Sequence, residues 1–284
     1  MFDTGSWITW IPSTGCNQQG GCESPRPDFK TKDSSTFKGS NSKFDGKYGS
    51  LTATGDFFRD AVQVGGVSLA NQQLAQVYKQ TGTFAKQSNK GGFTIDGILG
   101  AGFGDIEPPI PFALYQAKLI PEPRFSVYTG APGGISGSVV FGAVQDNKSL
   151  NITNALDNQL YWYVNPNKLS VDGDTVLSFD KNDKWMVDSG TSTSRLSFQM
   201  KPKNCNCSKY LSQSWTIDLT LPGQDHGAAF DLQFTPADAL IKIGQNTCVF
   251  GFGVAAQRFL GNSILQRYIT TYDFGDKSIG FTLK

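Results

Sequence analysis

Met1-Phe2-Asp3-Thr4-Gly5-Ser6 opens the chain, and Met186-Val187-Asp188-Ser189-Gly190-Thr191 repeats its type in the second half. Each copy runs apolar, apolar, Asp, hydroxyl, Gly, hydroxyl. One Asp-Thr-Gly or Asp-Ser-Gly is an ordinary turn in which Asp bonds its own backbone. Two copies, one in each half, point to a duplicated lobe that brings two carboxylates together. Two carboxylates sharing a site cannot both ionise, so one keeps its proton. Identical side chains then supply a general acid and a general base.

Other chemistries have weaker support. A metal site would have to use His226, the only histidine, and there is no Cys-x-x-Cys. His226 sits between Asp225 and Gly227 in a polar stretch and reads as a solvated loop residue. Gly134-Ile135-Ser136-Gly137 has the wrong spacing for a nucleophile elbow. Gly100-Ala101-Gly102-Phe103-Gly104 lacks the lysine and spacing of a phosphate cradle. A carbohydrate-binding or glycosidase domain explains two aspartates but not the hydroxyl-Gly context around each.

The elements that must position these residues read as strands. With 32 glycines, 21 phenylalanines and only 17% charged residues among 284, the composition suits an all-β chain rich in turns. Thr52 to Val64, ending at Gly65-Gly66, reads as hairpin strands, and 138–142 and 168–173 as strands meeting turns. Helices are expected at Pro111–Leu119, with an apolar face of Phe112, Leu114 and Tyr115, and briefly at Pro236–Ile241. The duplication divides the chain into lobes of residues 1–155 and 156–284. A net charge of +1 gives no field to recruit nucleic acid or an anionic membrane. No apolar run approaches the roughly 18 residues of a membrane span.

Further motifs follow in order. They are Trp7-Ile8-Thr9-Trp10-Ile11-Pro12-Ser13, Tyr48-Gly49-Ser50, Asp96-Gly97-Ile98-Leu99-Gly100 and Phe259-Leu260-Gly261. With the two Asp motifs, this order resembles the pepsin-like aspartic peptidases nearly end to end. The resemblance implies a mainly β, two-lobed acid-protease barrel fold with a cleft between the lobes. It implies an endopeptidase with an acidic optimum that favours apolar residues around the cut. Asp3 and Asp188 would activate a water, with no metal and no cofactor. Thr4 and Ser189 would hold the two loops together, Gly5 and Gly190 would allow close approach, and Ser6 and Thr191 would bond the outer carboxylate oxygens. Tyr48, Gly49 and Ser50 would form the tip of a flap, with Tyr48 hydrogen-bonded to Trp10. The expected partners are polypeptide substrates, and the expected state is a monomer.

Departures from the pattern set the alternatives. Leu51 stands where the family usually has Gly, and Asn262 where Asp is common. Loss of a carboxylate at 262 would ease ionisation of the pair. The chain between Asp188 and Cys207 is shorter than the resemblance implies. No basic start or apolar leader precedes Asp3, and the chain is expected to begin inside the family pattern. A pepsin-shaped binding protein with impaired catalysis, or an inactive truncated product, is the alternative reading.

Five cysteines and three sequons bear on the compartment. Cys16 and Cys22 flank a Gly-rich loop and suit a local disulfide. The resemblance implies Cys207–Cys248, with Cys205 either left over or taking the place of Cys207. Asn147, Asn151 and Asn206 are glycosylation candidates. Paired cysteines with clustered sequons favour an oxidising compartment, secreted or vacuolar-lysosomal.

Overall fold

The computed structural model describes residues 1–16, 18–22, 28–49, 51–82, 95–104, 107–130, 137–145, 150–156, 160–196, 205–242, 245–250, 252–254 and 257–284. The fold is mainly β, and the chain forms two compact units, Met1–Leu119 and Ile120–Lys284. Long-range pairing ties residues 124–128 and 151–154 to the second unit: Arg124–Tyr128 pairs with Tyr268–Asp273, and Asn151–Asn154 with Ser278–Leu283.

The first unit is built on a four-stranded sheet in the order Trp10–Pro12, Val67–Gln80, Leu51–Val64, Lys38–Tyr48. Trp10–Pro12 runs parallel to its neighbour and the rest are antiparallel. Gly65 and Gly66 make the tight turn between the two 14-residue strands, with φ of +56° and +85°. Two successive positive φ values match the twist of a two-residue hairpin, and glycine adopts them without a Cβ clash. Trp10, Phe44, Ala53, Ala75, Val77 and Ile98 pack with the Cys16–Cys22 disulfide as one core.

The helix of this unit spans Ile110–Gln116 and buries Ile110, Pro111, Ala113 and Leu114. The expected apolar face is therefore corrected. Ile110 sets the inward stripe at helical spacing, while Tyr115 is exposed and stacks on Phe112 with ring centroids 6.3 Å apart. The helix stops short of Leu119, and Lys118 has left-handed φ at +59°.

Among the described residues the second unit contains four sheets. The central one runs Tyr163–Val164, Trp185–Val187, Arg258–Leu260, Ser194–Leu196, Phe252–Val254. A second five-stranded sheet runs Ser138–Phe141, Arg124–Tyr128, Tyr268–Asp273, Ser278–Leu283, Asn151–Asn154. A four-stranded sheet and a three-stranded sheet complete it, the latter tied to the helix Cys207–Leu211 by the Cys207–Cys248 disulfide. Trp162, Phe125, Tyr272 and Phe274 form an aromatic cluster with centroids 4.9–6.2 Å apart. The short helix Pro236–Ala239 starts on a capping box of Thr235 and Asp238, then gives way to strand Leu240–Lys242. The segment after Leu196 up to Cys205 and the Ser136 motif lie outside the described residues.

Asp60 shows how the first unit tolerates an interior charge. It is buried and accepts hydrogen bonds from Ser34 Oγ at 2.9 Å, from the Ala61 N–H at 2.8 Å and from the Thr36 hydroxyl. Burial pushes its carboxyl up, but the bonds from Thr36, Ser34 and Ala61 outweigh that and leave it below the ordinary range. A lowered folded value means that this stabilisation is complete above the ordinary carboxyl value of about 3.9. It is lost as pH falls through the folded value. Asp60→Asn is expected to cost about 1–3 kcal/mol at neutral pH, with the gap to the parent closing in strong acid. Urea unfolding at several pH values measures this.

Candidate active site

In the first unit, Phe2–Asp3 runs parallel to Leu99–Gly100, with Asp3 opposite Gly100. The N–H groups of Leu99, Ala101 and Gly102 donate to the carbonyls of Met1, Asp3 and Ser6, each at 2.8 Å. This ladder lays the Asp3 loop directly on the Gly100 backbone. A Cβ on Gly100 would lie 2.5 Å from the Trp7 carbonyl carbon, so only glycine fits. Asp3 is 4% exposed. Its Oδ1 accepts the Gly5 N–H at 2.9 Å, and its Oδ2 accepts the Ser6 hydroxyl at 2.5 Å.

The second unit repeats the arrangement. Trp185–Val187, buried throughout, runs parallel to Arg258–Leu260 and antiparallel to Tyr163–Val164. Asp188 N–H donates to Leu260 O at 2.9 Å, and Asn262 N–H to Thr191 O at 2.8 Å. A Cβ on Gly261 would lie 2.6 Å from Thr193 O and 2.7 Å from Thr191 O. Asp188 is 6% exposed. Its Oδ1 accepts the Gly190 N–H at 2.8 Å, and its Oδ2 accepts the Thr191 hydroxyl. Thr4 and Ser189, which follow the two aspartates, are both buried.

The structure adds supports that the motifs do not display. Asn262 Nδ2 donates to Ser189 O at 2.9 Å, so the residue at this departure from the family pattern braces the Asp188 loop. Behind it, Ser263 Oγ and Ser194 Oγ are buried 2.8 Å apart. The Gly261 N–H donates to Ser194 Oγ at 3.0 Å, and the Ser194 N–H to Ser263 Oγ at 2.9 Å. A hydroxyl at each position was the only signal in the sequence.

Tyr48 ends the strand Lys38–Tyr48 and lies opposite Leu51 across the hairpin. Its ring meets that of the fully buried Trp10 at 6.4 Å with a 56° tilt. Leu51 and Ile8 pack on the same core, so Leu51 fills apolar ground beside Tyr48. Gly49 has φ of +61° at the hairpin tip; Ser50 lies outside the described residues. Among the sequons, Asn151 is exposed on a strand, Asn206 caps a helix by accepting the Lys209 N–H at 3.1 Å, and Asn147 lies outside the described residues. His226 is exposed in a short turn with φ of +66°.

Each buried carboxylate thus has hydrogen-bond donors on both oxygens and sits on a loop held by a parallel strand. Such groups can hold or exchange a proton with a water that lies within hydrogen-bond reach, which is the first requirement of general acid–base chemistry.

The family described as Eukaryotic aspartyl protease matches residues 1–284. Mucorpepsin of Rhizomucor pusillus is 30% identical over 320 aligned positions, covering 99% of this chain and 74% of that protein. A probable vacuolar protease A of Trichophyton verrucosum is 29% identical, covering 99% and 73%. Cathepsin D of Dictyostelium discoideum is 27% identical, covering 99% and 78%.

Asn262→Asp tests the brace. An aspartate there donates to Ser189 O only while protonated; once ionised, its oxygens face that carbonyl. The variant is expected to match the parent in strong acid and to lose kcat/KM as pH rises beyond about 4. A pH–rate profile of peptide cleavage reads this.

Proposed function

The chain belongs to the eukaryotic aspartyl protease family, and from that premise we propose that Asp3 and Asp188 are its catalytic pair. The observation that carries this reading is the matched seating of the two side chains, Oδ1 on a glycine N–H and Oδ2 on a hydroxyl in each unit.

The family consists of pepsin-like aspartic endopeptidases, which are hydrolases. In the proposed reaction the ionised carboxylate takes a proton from a water as that water attacks the scissile carbonyl carbon. The protonated carboxyl donates its proton to the carbonyl oxygen, and a tetrahedral diol forms. The carboxyl that took the water's proton gives it to the nitrogen, its partner takes a proton from a diol hydroxyl, the C–N bond breaks, and the pair is left with one proton. Tyr48 and Gly49, with Ser50, form the flap that closes over substrate, and Trp10 backs Tyr48. Closure excludes water and strengthens the interactions inside.

The substrates are polypeptides with apolar residues around the cut, and the working range is acidic. The reading makes the protein a monomer of a secreted or vacuolar-lysosomal compartment, consistent with its two disulfides. Among the described residues no helix is long and apolar enough to cross a membrane. Donors on both oxygens of each aspartate, with Tyr48 against Trp10, disfavour the impaired-binding alternative.

The test is cleavage of denatured globin between about pH 2 and pH 7, for the parent, Asp3→Asn and Asp188→Ala. The parent is expected to cleave in acid, with each variant reduced by at least about 10²-fold. A peptide mimic bearing a hydroxyl in place of the scissile carbonyl is expected to inhibit the parent. Undiminished cleavage by either variant would remove that residue from the pair.

A further inference from the structure

Both aspartate loops make a further contact, away from the hydrogen bonds on the carboxylates. Thr9 and Ser194 each stand six positions after their aspartate. Thr9 Oγ1 accepts the Gly100 N–H at 3.2 Å, and Ser194 Oγ accepts the Gly261 N–H at 3.0 Å. The two glycines occupy matching places. Leu99 pairs with Phe2, just before Asp3, and Leu260 with Val187, just before Asp188. A Thr in one unit and a Ser in the other share the hydroxyl, which is the part the contact uses.

Strand geometry explains why a side chain is needed. Successive N–H groups along a strand point to opposite sides. Those of Leu99 and Ala101 point to the Asp3 strand, where Met1 O and Asp3 O accept them. That of Gly100 points the other way, to the side on which Trp10 and Ile98 exchange hydrogen bonds. No Cβ fits on Gly100 or Gly261, so loop backbone lies directly against both. A buried N–H without an acceptor is costly, and the hydroxyl supplies one. Each glycine-bearing strand is then held by the start of its aspartate loop on one side and by the Thr or Ser six residues on at the other. The two hydroxyl residues are themselves fixed. Thr9 O accepts the Ala75 N–H at 3.0 Å. Ser194, fully buried, also accepts the Ser263 hydroxyl at 2.8 Å, and its N–H donates to Ser263 Oγ at 2.9 Å.

We propose that Thr9 and Ser194 are a matched pair of positioning residues, which set the backbone behind Asp3 and Asp188 and so aim the two carboxylates. They act through the glycine backbone and take no part in the proton transfers. The inference rests on the catalytic pair proposed above. A carboxylate that drifts loses its line to the water and to the scissile carbonyl, and a misplacement of about 1 Å costs on the order of 10²-fold in rate. The loss falls on kcat, because substrate is bound by other groups.

The test compares the parent with Thr9→Val, Thr9→Ser, Ser194→Ala and Asp3→Asn. Steady-state cleavage of a peptide gives kcat and KM, and amide hydrogen exchange by NMR follows the Gly100 and Gly261 N–H groups. Thr9→Val keeps the shape and removes the acceptor. It is expected to lower kcat by about tenfold at nearly unchanged KM, as is Ser194→Ala. Thr9→Ser keeps the hydroxyl and is expected to restore kcat. The Gly100 N–H is expected to lose protection in Thr9→Val and regain it in Thr9→Ser, and the Gly261 N–H to lose it in Ser194→Ala. Circular dichroism checks each fold; Thr9 is only half-buried, so Thr9→Val carries the test should Ser194→Ala fail to fold. Cleavage that Asp3→Asn removes but Thr9→Val leaves at the parent's kcat would overturn the inference and leave the pair standing. So would a loss in Thr9→Val that Thr9→Ser does not reverse. Cleavage unchanged in Asp3→Asn would overturn the pair itself, and the positioning role with it.

Discussion

A carboxylate removed from water is costly unless its oxygens find donors, and this chain buries one at the end of a parallel strand pair in each unit. The donors are local: a glycine N–H two residues on and a hydroxyl three residues on. Backbone hydrogen bonds to the strand behind hold each loop, and its donors, in place. Gly100 and Gly261 make that approach sterically open, because no Cβ fits at either position. The surrounding sheets, aromatic clusters and disulfides hold those two strand pairs in place.

The two units meet the same demand with different supports. In the first, Trp10 and Ile98 exchange backbone hydrogen bonds at 2.9 and 3.0 Å, tying the chain beyond the Asp3 loop to the strand that carries Gly100. The core around Trp10 then extends to Tyr48 on the hairpin, so loop and hairpin share one apolar foundation. In the second, Trp185–Val187 is paired on both sides, and Asn262, Ser194 and Ser263 brace the backbone after Asp188. Side-chain hydrogen bonds there supplement the apolar packing used in the first unit. Asn262 keeps its donor at every pH, whereas a carboxyl in its place would keep one only in acid.

Much of this was legible in the sequence because its causes are local. The two Asp-hydroxyl-Gly-hydroxyl runs state their own hydrogen bonds, and Gly65-Gly66 states its own turn. The helix near residue 111 was legible in position but not in face. Ile110, outside the expected start, sets the buried stripe with Ala113 and Leu114, while Phe112 is partly buried and Tyr115 exposed. The pairing of residues 124–128 and 151–154 with 269–281 was not legible, because it spans more than a hundred positions of chain. The Asn262 brace was visible only as a departure from a pattern. Its partner is a backbone carbonyl, which no side-chain pattern announces.

The central claim is that Asp3 and Asp188 share one proton as a pair. The direct measurement is a titration of the two carboxyl carbons by NMR, in the parent and in Asp3→Asn. The account predicts that the two carboxyls respond to pH as a coupled pair in the parent, and that Asp3→Asn alters the response of Asp188. Two independent, ordinary titrations in the parent, unchanged in the variant, would contradict it.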